Sequence, residues 1–264
     1  ILKYFQYPSS STGKSYYLFD GSEARHNVTL STTYDWANMA NAYTWNYSDT
    51  QAKAVQELMR DCGYVSHMIY SAQGSGANAY DAGAGLSHNM RYDSLALSVD
   101  RRMFYNDEDW MSAIYVELQN QRPILYNAVD PNMMGHAFVF DGMDSEGRVH
   151  INWGWSGTAN GYFDVRDLNG LAPSYPNPYT GTDIKYNFCD DQIMVRGFKP
   201  QETPDADELY HSYFAMLEPD SIWMDNDSLK LKSVPMFNFS HLDFTGLIGV
   251  VVEDTTGHAV VQPF

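Results

Sequence analysis

Short apolar stretches broken by polar residues cluster after Pro123, in PILYNAV, HAFVFDGM, RVHINWGW and GYFDVRDL, with turn signals such as DSEG between them. This β-rich block predicts antiparallel strands, continuing to QIMVRGFKP near Pro200. Upstream the spacing lengthens. Ser48 and Asp49 can cap a helix in which Ala52, Val55, Leu58, Met59 and Cys62 recur at three- and four-residue intervals, with Gly63 as its left-handed stop. NDEDWMSAIYVELQNQRP predicts a second helix, with Trp110, Ile114 and Leu118 on one face, acids at its start and Pro123 at its end. Ile1, Leu2, Tyr4 and Phe5 predict the last turns of a helix closed by Pro8, whose front is expected to lie before Ile1. YSAQGSGANAYDAGAGL, low in bulk, predicts a loop approached closely by another backbone or a ligand; a plain flexible linker is the competing reading.

Helices first and antiparallel strands afterwards predict an α+β domain over residues 1–200. The proline- and acid-rich KPQETPDADE predicts a linker at 201–208. Beyond it LKLKSV, FNFSHLDF, LIGVVVED and HAVVQPF predict an incomplete β-sandwich-like domain over 209–264, because a full sandwich takes about 100 residues. The pattern stops in mid-strand at Phe264, so both ends are expected to be cut.

Composition narrows the function classes. The 264 residues suffice for one sizeable core and part of a second. Sixteen Lys and Arg against 33 Asp and Glu give a net charge of −17, which disfavours nucleic acid and anionic membrane surfaces as partners. The longest apolar run, near GLIGVVV, is far short of the roughly 20 residues a spanning helix needs. Two cysteines make no disulfide scaffold and no Cys-x-x-Cys pair, though a bridge between Cys62 and Cys189 stays open.

The chemistry-bearing candidates lie in GHAFVFDGMDSEGRVHINWGW. His136 stands between Gly135 and Ala137, small neighbours that leave an imidazole accessible, as a general base requires. Taken alone, a histidine so placed is most often a satisfied structural group. The DSEG turn brings Asn152 back toward the same end of the sheet, where its amide oxygen can accept the second ring N–H without adding charge. Trp153 and Trp155 can then shield that bond from water. Such a pair is the supporting half of a cysteine-nucleophile site. Neither visible cysteine suits the other half: Cys62 lies on an apolar helix face, and Cys189 precedes two aspartates that oppose thiolate formation. His150 could join His136 at a metal, but no His-Glu-x-x-His or carboxylate cluster accompanies them, so no metal site is expected.

GHAFVFDGMDSEGRVHINWGWSGTANGYFDVRDLN, together with KAVQELMRDCGYVSHMIYSAQGSGA, EDWMSAIYVELQNQRPILYNA and VRGFKP, resembles the streptopain family of papain-fold cysteine peptidases over nearly all of Ile1 to Pro200. The resemblance implies a secreted or cell-surface endopeptidase made as a zymogen with an N-terminal prodomain, acting on protein substrates without a cofactor. It implies His136 as base and acid, Asn152 as its orienting partner and Trp153 as the shielding indole, with Gly135, Ser75 and Gly76 lining the cleft. ILKYFQYP resembles the later part of the family's nucleophile helix, which puts the catalytic cysteine about eight residues before Ile1. On that alignment the 264-residue chain is expected to be inactive. A catalytically dead peptide-binding module and an aromatic-rich adhesin or glycan binder are the other classes considered.

Overall fold

A single helical turn, α1 (Leu2–Phe5), opens the chain and ends where Gln6 takes a left-handed conformation, two residues before Pro8. β1 (Lys14–Phe19) pairs antiparallel with β2 (His26–Thr29). The second helix, α2 (Asp49–Val65), begins on a full capping box: Ser48 accepts from the Gln51 N–H, while the Gln51 side chain accepts from the Ser48 N–H. β3 (Ile69–Tyr70) then lies parallel to β1, giving the order β2–β1–β3. This is computed structural model geometry for residues 1–201 apart from 44, 95, 132–134, 166–173, 177–182 and 189, and beyond them for the strands named below.

Two expectations for this region are corrected. Gly63 does not stop α2; the helix runs on to Val65, and the left-handed residue is His67, with φ of 50°. Gly63 is instead a point of close approach, since a Cβ there would sit 2.1 Å from the Tyr70 hydroxyl. Half of the low-bulk stretch is also no loop but α3 (Ala79–His88), started by Asn78, whose side chain accepts from the Tyr80 N–H. Its small residues serve packing: a Cβ at Gly85 would lie 2.1 Å from the Val65 carbonyl oxygen. The expectation of a closely approaching backbone is met at that glycine.

The buried face of α2 carries Ala54, Leu58, Asp61 and Val65, while Met59 is 68 % exposed. Asp61 is wholly buried and collects the elements around it. The Ser11 and Tyr34 hydroxyls each donate to one carboxylate oxygen at 2.9 Å, and Arg60 donates to the other at 2.8–2.9 Å.

β4 (Ser98–Arg101) precedes α4 (Asp107–Gln119), which Asn106 caps and which buries Trp110, Ile114 and Leu118 as the periodicity predicts. Then come β5 (Ile124–Val129), β6 (Gly135–Met143), β7 (Val149–Asn152) and β8 (Gly161–Phe163), the β-rich block of the sequence. β9 (Ser174–Pro176) and β10 (Asp183–Lys185) form a separate pair, and β11 (Asp190–Arg196) returns to the main sheet. That sheet is antiparallel, in the order β4–β11–β5–β6–β7–β8. Its inner face meets α4 across Trp110, Tyr126, Phe138, Phe140, Ile151 and Trp153, each at most 2 % exposed. The architecture is α+β.

The chain divides into two compact units, Ile1–His211 and Ser212–Phe264. In the second, β12 (Phe214–Met216), β13 (Ser221–Asp225), β14 (Ser228–Lys232), β15 (Met236–Asn238), β16 (Gly249–Glu253) and β17 (Ala259–Pro263) pair antiparallel as β12–β15, β13–β14 and β16–β17. The linker expected at 201–208 lies, past Gln201, outside the described residues. Among the described residues no helix is long and apolar enough to cross a membrane.

Candidate active site

His136 is the second residue of β6, paired with Ala128 of β5. Odd and even positions of a strand face opposite ways, so His136 shares the inner face with Phe138 and Phe140. The imidazole sits among rings: Trp155 stacks on it at 5.0 Å and 25°, Phe188 lies at 5.6 Å and Phe138 at 5.8 Å. Its Nε2 is 2.8 Å from the carbonyl oxygen of Trp153. A carbonyl only accepts, so Nε2 carries a proton and donates it. The Nδ1 of the neutral ring then holds the lone pair.

The expected orienting partner is therefore corrected. Asn152 pairs with Val139 across the hairpin, and paired residues share a face. Val139 stands three positions from His136, an odd spacing, so Asn152 falls on the opposite face of the sheet. Its side-chain oxygen accepts from the Gly154 N–H at 3.0 Å, and the residue lines a cavity of about 350 Å³ with Val139, Asp141, Arg122 and Tyr4. Strand parity was available in the sequence to find this. A backbone carbonyl, carrying no side-chain signature, was not.

The shielding indole also differs from the expectation. Trp155 makes the stack on His136; Trp153 is fully buried behind it, parallel to Trp155 at 5.6 Å and 4.6 Å from Phe138. Gly135 is exposed at the start of β6, opposite Val129. Ser75 and Gly76 lie in an exposed loop between β3 and α3, where Gly76 bridges Ile69 and Ser75 accepts from the Ser71 N–H. None of their described hydrogen bonds reaches His136.

Cys62 is half-buried by area but densely surrounded, and that burial pushes its thiol up to about 11. It is a poor nucleophile at neutral pH. Cys189, and with it any bridge to Cys62, lies outside the described residues. A second histidine, His150 on the outer face, holds Asp141 through Nδ1 at 2.5 Å and meets the Tyr162 ring edge-on. Among the described residues no three His, Cys, Asp or Glu side chains converge as metal ligands would.

The site is thus a histidine held by a backbone carbonyl and stacked under the Trp155 indole, within the signature block of the sequence. Residues 1–163 match the Peptidase C10 family. The chain belongs to that family. Among its relatives are the thiol protease/hemagglutinin PrtT of Porphyromonas gingivalis, 31 % identical over 202 residues, and streptopain of Streptococcus pyogenes, 32 % identical over 179. These alignments cover 76 % and 65 % of this chain but 22 % and 44 % of the relatives, so the chain spans less than half of either. Among solved structures, the active interpain A cysteine protease of Prevotella intermedia is 37 % identical, with a TM-score of 0.64 over 75 % of this chain and 78 % of that one. A prointerpain A fragment from the same organism gives 36 % and 0.62 over 76 % of this chain and 61 % of that one. The fold of this C10 chain is the papain-like cysteine peptidase fold.

Proposed function

We propose that this chain carries the base-bearing half of a cysteine endopeptidase acting on protein or peptide substrates. The observation that supports it most is the 2.8 Å contact between His136 Nε2 and the Trp153 carbonyl, which leaves Nδ1 as proton acceptor. In this reading Nδ1 takes the proton of a cysteine thiol and the thiolate attacks the scissile carbonyl carbon. The imidazolium then protonates the leaving amine, and water hydrolyses the thioester through the same base. Trp155 and Phe188 keep water from the orienting bond, which strengthens it. Asn152 acts one step away, by holding the Gly154 N–H.

The nucleophile in this proposal is the cysteine that the family resemblance implies upstream of ILKYFQYP. Cys62 is set aside by its raised thiol pKa. Gly135, with the loop of Ser75 and Gly76, lines the substrate cleft. PrtT is named a thiol protease and interpain A a cysteine protease, and a prointerpain A fragment is among the similar solved structures; for this chain, secretion to the medium or cell surface and a prodomain follow as proposals.

The test is covalent labelling of the full-length protein by a thiol-directed epoxide peptide. His136→Ala should lower the labelling rate by at least about a hundredfold, the usual scale of general-base catalysis. Cys62→Ser should leave the rate unchanged. Undiminished labelling in His136→Ala overturns the base assignment; loss in Cys62→Ser makes Cys62 the nucleophile; no labelling in any form favours the peptide-binding reading.

A further inference from the structure

The β7–β8 ladder ends at the pair Ile151–Gly161. Trp153, two residues beyond, is completely buried, yet its N–H and carbonyl have no strand to pair with. Both groups need partners, because a buried backbone donor or acceptor left unpaired is costly. The carbonyl receives His136. The N–H donates to the side-chain oxygen of Asn160, at 3.0 Å across the loop. The carbonyl belongs to the next peptide unit, whose own N–H, that of Gly154, donates to Asn152.

The loop is wound to deliver Asn160 to that place. Gly154, Ser156, Gly157 and Ala159 have φ of 77°, 52°, 86° and 61°, and the Thr158 N–H closes a turn on the Trp155 carbonyl. Two of those four left-handed residues carry a Cβ, a conformation L-residues adopt only when the surroundings impose it. Ala159 packs against the core, which supplies that constraint.

We infer that Asn160 is a positioning residue for His136: by accepting the Trp153 N–H it fixes the rotation of the segment whose carbonyl holds the imidazole Nε2–H. The inference rests on His136 being the base, but its physical content is the tautomer and orientation of the ring. An asparagine suits the task, since its oxygen accepts from Trp153 without placing a formal charge near the imidazole. Without that acceptor the Asn152–Trp153 peptide unit loses its restraint, and the next unit, which bears the carbonyl, is left with the Gly154–Asn152 bond; the backbone turns about Trp153, the carbonyl leaves the ring plane, and Nε2 loses its preference for the proton.

The experiment reads the ring directly, in this chain as it stands. Two-bond ¹⁵N–¹H imidazole spectra are recorded at about pH 9, above the usual histidine range, with His136→Gln to assign the signal. The wild type and Asn160→Asp, which keeps an acceptor oxygen, should show one tautomer with the proton on Nε2. Asn160→Ala should show the two tautomers mixed, with Trp153 amide exchange at least about tenfold faster. Asn160→Ser, whose hydroxyl is too short to keep the bond, gives the same reading should the alanine variant not fold. A purely structural asparagine would lower the unfolding midpoint and leave the tautomer alone; an unchanged tautomer in Asn160→Ala or Asn160→Ser overturns the inference. Thiol labelling separates the two ideas. Labelling that needs His136 while the tautomer ignores Asn160 removes this inference alone, and a tautomer that follows Asn160 in a protein that never labels removes the peptidase reading alone.

Discussion

Around α2 the interior is organised by a carboxylate, and around β6 by rings. Asp61 gathers Ser11, Tyr34 and Arg60, so three separate stretches of chain meet at two oxygens. In the sheet block, Tyr126, Phe138, Phe140 and Trp153 meet in stacked and tilted pairs, with Tyr126 and Phe140 stacked at 4.4 Å. The first interior depends on a few directional bonds that fail together when the acceptor is lost. The second spreads its cohesion over many contacts and tolerates changes of shape better than loss of volume. The candidate base stands in the second kind, on a surface that holds it rigidly without charging its surroundings.

This contrast can be broken from either side. The largest effect expected is from Phe140→Ala, which empties a fully buried site and should cost about 3–5 kcal/mol in denaturant unfolding, whereas Phe140→Leu should cost about 1–2. Equal losses for the two variants would mean that ring geometry, not volume, carries this core. Asp61→Leu comes next, at about 3 kcal/mol by the same measurement, because it strands two hydroxyls and a partly exposed guanidinium. A cost under about 1 kcal/mol would remove the carboxylate from its organising place. Smaller still is the effect on Cys62, next to Asp61. A thiol moved from 9.0 to about 11 is a hundredfold less ionised at neutral pH, so iodoacetamide should modify it about a hundredfold more slowly than an ordinary thiol. The sign follows from burial favouring the neutral form: the folded state holds the proton more tightly, and this contribution to stability is present below about 9 and lost as pH rises toward 11. Rapid labelling at pH 7 would show that the helical region opens far more readily than the sheet.

The same contrast explains what was legible in the sequence. The sheet core announced itself as a block of β-prone apolar residues, Phe138 and Phe140 in one strand and Val149 and Ile151 in the next, where the polar His150 and Asn152 also mark the face. The Asp61 centre did not, because a buried aspartate in a helix is written like an exposed one; the apolar face read for α2 includes Met59, which is exposed, and leaves out Asp61, which is buried. α3 was hidden by Gly83 and Gly85, which weaken local helix preference, and Gly85 is explained only by its close approach to Val65. At the candidate site His136 and the Trp-Gly-Trp were visible as residue types. The acceptor that meets His136 belongs to the backbone, and the side chain that meets Trp153 comes from a loop whose left-handed residues are not all glycine, so neither left a motif.

That loop also measures distance. Surface connections commonly accept extra residues at little thermodynamic cost. The span from Trp153 to Asn160 should not, because its four left-handed residues make the count of residues, as much as their identity, set where the amide oxygen arrives. One residue more or fewer would leave both strands paired and the core filled while moving Asn160 away from Trp153. Length is therefore part of the site's specification, and a chain can keep every signature residue of this block and still lose the site through a single codon gained or lost between them.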